Sequence, residues 1–138
     1  MTPEHDAIGG RVICPATLHV VGKEPAYLRT YLEWAARRGD TLLVSAASIS
    51  GLLALVDDAH KDVLHRLTIS GAFLIRPLEE RDAAAVGAIA ADLPGERDLT
   101  TLGIAHGVLE ARRREWRVAT TEPGRYRGVT GIALDDLP

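Results

Sequence analysis

"LTTLGIAHGVLEARRREWRVATTEPGRY", residues 99–126, changes its hydrophobic period twice within one stretch. Its first part reads as a long helix that Asp98 caps, with Arg112, Arg113 and Arg114 at the end where cations favour the helix dipole. Arg117 to Ala119 then reads as a short strand running into a polar turn, with Pro123 and Gly124 making the turn and Glu122 as its carboxylate. Ligands of open α/β sheets bind beyond the carboxyl ends of the strands, so Thr120, Thr121 and Glu122 form a candidate site. The competing reading is an ordinary strand exit.

Working outward, the same alternation recurs along the chain. "RVIC" (11–14) fits a buried strand, and Pro15 opens a helix over "PATLHVV". A second helix is predicted from Pro25 to Arg38, with Leu28, Tyr31, Leu32 and Ala35 at helical spacing and Gly39 as its stop. A strand at 42–44 leads into a helix through Ile49, Leu52, Leu53 and Val56. A further helix over 59–69 is followed by a strand at 72–78 that Pro77 closes, then a helix over 79–93. "GIAL" (131–134) reads as the last strand. Parallel crossovers need a dozen or more residues, which these helices supply, so the pattern predicts a three-layer α/β/α sandwich with a mostly parallel central sheet.

A length of 138 residues with 46% hydrophobic content suits one domain, expected over 11–138 after a loose leader at 1–10. A formal charge of −3 gives no general attraction to nucleic acid or anionic lipid, so contact with a polyanion would need a local patch. Cys14 is the one cysteine, which excludes an internal disulfide and a multi-cysteine zinc site. No run approaches the ~18–20 apolar residues of a membrane span, and the N-terminus lacks the layout of a secretion signal. A cytoplasmic protein with no membrane contact is expected.

"RVICPATLHVV", "LLVSAASISGLLAL", "IAHGVLEARRREWRVATTEPGRYRG" and the closing "GIALDDLP" together resemble the PIN domain family, whose small members include the VapC-type toxin ribonucleases. The resemblance covers about residues 11–138 and is most specific near the end. There the family carries an acid before Ala-His, a helix ending in Ala-Arg, a strand, and Thr-x-Asp-Pro. Here Ile104, Ala105 and His106 are followed by Ala111 and Arg112, then Thr120, Thr121, Glu122 and Pro123. The family hydrolyses RNA with Mg²⁺ or Mn²⁺ held by three or four acids, because a hard cation needs charged oxygen ligands while it activates water. Carried over by position, those acids fall on Cys14, Gly51, Ile104 and Glu122, of which Glu122 alone is acidic.

The resemblance therefore implies a degenerate PIN-like domain with a vestigial site at Cys14, Gly51, Ile104, Thr120 and Glu122, no catalytic residues and no cofactor. Its alternative is an active VapC-type endoribonuclease using Mg²⁺ or Mn²⁺ in another register, for which Asp98 is the available acid. A homodimer is expected, together with an antitoxin-like protein partner or RNA. Arg125, Tyr126 and Arg127 are the candidate RNA contacts, since guanidinium matches phosphate and a ring can stack a base. Tyr27, Tyr31 and Trp34 share one side of the second helix as core or dimer contacts. Leu102 and Leu109 beside His106 give it a structural role. His5, His60 and His65 read as solvated. A hydrolase built from Cys14, His19 and Glu122 would need a positioned base that no pattern enforces.

Overall fold

The structure, a computed structural model, describes residues 9–23 and 26–137. The expected leader falls outside the described residues as far as residue 8, as does His5, and Gly10 already belongs to the sheet. The elements run β1 (Gly10–Ile13), α1 (Pro15–Gly22), α2 (Ala26–Arg37), β2 (Thr41–Ser45), α3 (Ala46–Leu55), α4 (Asp58–Ile69) and β3 (Leu74–Arg76). After a 3-10 turn at Glu80–Asp82 come α5 (Ala83–Asp92), α6 (Thr101–Arg114), β4 (Arg117–Thr120), a second 3-10 turn at Pro123–Tyr126, and β5 (Leu134–Asp136). The strand order is β3-β2-β1-β4-β5 and every pairing is parallel.

Alternation along the strands divides the core, because successive side chains point to opposite faces. Val12, Cys14, Leu43 and Val118 pack under α5 and α6 with Val86, Ile104 and Val108. Ile13, Leu42, Val44 and Ala119 face Leu18, Leu28, Leu32, Leu52 and Leu64 from α1 to α4. Both faces of the sheet are thus covered, as a parallel sheet requires.

Local chemistry sets the helix ends. Ser45 caps α3 by accepting the Ala47 N–H at 3.1 Å, and Asp57 caps α4 by accepting the His60 N–H at 3.0 Å. Asp98 is not the cap residue of α6. It sits two residues ahead of the cap position, Thr100, and accepts both the Thr100 N–H at 2.8 Å and its hydroxyl at 2.7 Å. The helix expected over 79–93 begins instead as the 3-10 turn. The third strand shrinks to three residues, and the last starts at Leu134, because Gly131 turns the chain at φ +78° and "GIAL" is spent reaching the sheet edge.

The aromatic side of α2 is split. The Tyr31 hydroxyl donates to Asp135 and accepts from Arg11 Nε at 2.7 Å, tying α2 to β1 and β5, and burial, with Asp135 adding to it, pushes this phenol up to about 12. Tyr27 and Trp34 stay 47% and 45% exposed, which removes them from the core.

Candidate functional site

The order β3-β2-β1-β4-β5 reverses direction between β1 and β4, so the crevice beyond their carboxyl ends is the place where this topology puts a ligand. A cavity of about 590 Å³ lies there. Val20, Leu52, Leu55, Val56 and Ile104 supply apolar wall, while His19, Lys23, His60 and Arg125 face it together with Asp57, Asp98 and Glu122. Leu55 stands 57% exposed at its edge, and Leu99, between two lining residues, is 55% exposed.

Of the residues singled out from sequence, His19, His60, Asp98, Ile104, Thr121, Glu122 and Arg125 reach the cavity. Cys14 does not; it is buried beside Tyr126, whose phenol burial pushes well above its ordinary value, with Cys14 adding to the effect. Tyr126 is itself a core side chain, so its ring offers no exposed face for stacking a base, and the expectation for that residue is corrected. Arg127 is on the surface. Thr120 is fully buried, and its hydroxyl accepts the Glu122 N–H at 2.9 Å, fixing the turn rather than facing solvent. Its neighbour Thr17 does similar work, donating to the Ala119 carbonyl and accepting the Thr121 N–H, both at 3.1 Å.

Gly51 has a tertiary reason to be glycine. A Cβ there would stand 2.1 Å from the Leu99 carbonyl oxygen, and one on Gly103 would stand 2.3 Å from Ser48 Oγ and 2.7 Å from Ser48 Cα. Helices α3 and α6 therefore meet nearly backbone to backbone through this glycine pair. A carboxylate side chain at 51 has no room in this arrangement.

The acids around the cavity are already engaged. Besides its bonds from Thr100, Asp98 receives Arg125, with Nη1 at 3.3 Å from Oδ2, and the same guanidinium lies 4.0 Å from Glu122. Burial opposes ionisation of Asp98, yet the Thr100 hydrogen bonds and Arg125 outweigh it and hold this carboxyl below its usual range. Asp57 is lowered by the His60 N–H and then by the His60 ring, whose Nδ1 lies 2.6 Å from Oδ1. His19 is pushed down by burial and then by Lys23. Among the described residues, no group of three His, Cys, Asp or Glu is placed to hold a metal ion.

His106 lies elsewhere, fully buried, with Nδ1 2.7 Å from Ser45 Oγ. The structural role expected for it fits this position, although Leu102 is half exposed and only Leu109 packs against the core. The residues that sequence reasoning missed are Lys23 and Asp57, and the meeting of His19 with His60. Asp57 followed three residues later by His60 at a helix start was a legible capping signal. Nothing in the sequence joined His60 to His19.

No family model matches the chain, and no curated protein matches it. Solved structures do. The chain is similar to a chain of VapBC2 from Rickettsia felis, solved bound to a DNA fragment from its promoter, at TM-score 0.70 and 14% identity over 93% of this chain and 98% of that one. DNA-bound VapBC from Salmonella typhimurium matches at TM-score 0.67 and 18% identity over 94% and 98%, and FitAB bound to an IR36 DNA fragment at 0.59 and 16% over 91% and 94%. At these identities the likeness establishes a shared fold, the five-stranded parallel sheet with helices on both sides.

Proposed function

We propose that this chain is a PIN-like, toxin-related module that has lost its metal-held nuclease and acts by gripping a partner protein in the cavity at the β1/β4 switch point. The observation that carries this reading is the contact of Gly51 with the Leu99 carbonyl, which leaves no space for the second acid of a PIN site. Support comes from the pairing of Asp98 with Arg125, since a guanidinium already compensates charge that a hard cation would need. An apolar wall edged by the exposed Leu55 and Leu99 suits side chains of a protein better than a polyanion. An antitoxin-like partner fits the kinship of fold with chains of VapBC and FitAB complexes.

The protein is expected in the cytoplasm; among the described residues no helix is long and apolar enough to cross a membrane. The exposed Tyr27 and Trp34 on α2 are the face through which it would pair as a homodimer. The decisive experiment is an RNA cleavage assay with and without EDTA, run beside copurification after nuclease treatment. The expected result is no EDTA-sensitive cleavage, and a nuclease-resistant protein partner that Leu55→Asp weakens. EDTA-sensitive cleavage abolished by Glu122→Gln overturns the reading in favour of an active Mg²⁺- or Mn²⁺-dependent endoribonuclease. Loss of the captured partner on nuclease treatment assigns the cavity to RNA instead.

A further inference from the structure

The cavity contains a histidine pair that the vestigial acid positions do not explain. His19 from α1 and His60 from α4 bring their ring centroids to 5.9 Å. With nitrogen–metal bonds of ~2.0–2.1 Å and roughly 1.1 Å from ring centre to nitrogen, two imidazoles on one ion stand about 5.2 Å apart at a tetrahedral angle and about 6.4 Å apart when opposed. The observed separation lies inside that interval.

His60 is also arranged as such ligands are. Its Nδ1 meets Asp57 Oδ1 at 2.6 Å, which leaves Nε2 for another partner; a carboxylate behind the ring fixes the tautomer and orientation of metal-bound histidines. Asp57 is itself held in place as the cap of α4 through the His60 N–H. Glu122 and Lys23 line the same cavity, and the long stem of a lysine lets its ammonium reach water.

We propose that His19 and His60, with Asp57 behind His60, form an open site for a divalent transition ion of the zinc, nickel or copper class. The remaining positions go to water or to a donor from the bound partner. Imidazole nitrogen suits these ions, whereas Mg²⁺ and Mn²⁺ prefer oxygen, so the site is chemically separate from the acid set of a PIN nuclease and stands whether or not that set is lost. With only two histidines from the protein, it is a site that a partner can complete.

Titration of zinc chloride into the untagged 138-residue chain by calorimetry, with circular dichroism to monitor folding, tests the proposal. One saturable site is expected, weakened at least about tenfold in His19→Ala and in His60→Ala, and about tenfold in Asp57→Asn, which keeps a capping oxygen. His65→Ala, exposed on the same helix as His60, should leave it unchanged. No saturable binding, or equal binding in the folded double variant His19→Ala/His60→Ala, overturns the proposal. Saturable Mn²⁺ binding that depends on Glu122 would overturn the loss of the nuclease site instead and leave the histidine result to stand on the zinc titration.

Discussion

The two ends of α6 hold polar groups in different ways. From its middle to its C-terminus, His106 meets Ser45, buried Glu110 takes Arg76 at 3.3 Å and Arg114 at 3.6 Å, and buried Asp82 takes Arg113 at 2.7 Å. At the N-terminal end, Asp98, Glu122 and Arg125 line an open cavity, and the two carboxylates there stay about half exposed. The first cluster has its charges paired and turned inward, which is what a structural network needs. The second spends its charge at an open crevice, where a ligand could displace it. The difference fits the binding proposed at the switch point and a structural role for His106.

The sharpest way to break this comparison is Gly51→Glu, which returns an acid to the cavity end. Collision with Leu99 should destabilise the fold by about 3 kcal/mol or more, without conferring cleavage, in urea unfolding and nuclease assays. A well-folded Gly51→Glu protein that cleaves RNA would mean that the crossing of α3 and α6 is soft. Next in size is Ser45→Ala, which removes both the α3 cap and the partner of His106 and should cost about 2 kcal/mol in the same unfolding measurement.

The third test uses pH. Burial pushes the folded His106 below its ordinary 6.5, with Glu110 and Asp82 pulling it up and Arg76 and Arg113 adding to the depression. Below pH 6.5 the unfolded chain therefore takes up a proton before the folded one does, so stability present above 6.5 should be lost as pH falls toward the folded value. His19 contributes in the same direction. Denaturant midpoints measured from pH 7.5 to 5 should decline, and His106→Gln should flatten the decline. The smallest effect belongs to Arg125→Ala, whose partly exposed pairs with Asp98 and Glu122 should be worth under about 1 kcal/mol. A larger loss would move this arginine from the binding cavity into the structural class.

The fold was readable because its strands are short apolar runs separated by helical patterns, with Pro15 marking a helix start that the structure keeps. Where reading slipped, a turn shifted the strand: Gly131 bends the chain at the start of "GIAL", and pairing with β4 begins only at Ala133 and Leu134. The cavity was readable mainly at its β4 and α6 sides, through Glu122, Arg125, Ile104 and Asp98. Gly51 could be seen to lack a carboxylate, but the reason is a contact with a carbonyl on the loop before α6, which no local pattern encodes. His60 likewise reads as solvated, and His19 stands out only beside Cys14 and Glu122, until two helices from different crossovers bring the two rings together.

The glycine pair between α3 and α6 has an evolutionary corollary. Once Leu99 settles against position 51, a one-step reversion to a carboxylate meets a steric penalty before it can bring any catalytic advantage. Return to an acidic centre would need the loop ahead of α6 to shift first. If the chain descends from an acid-centred nuclease, as proposed, the close approach works as a ratchet, steering selection toward what the crevice can hold rather than what it can cut.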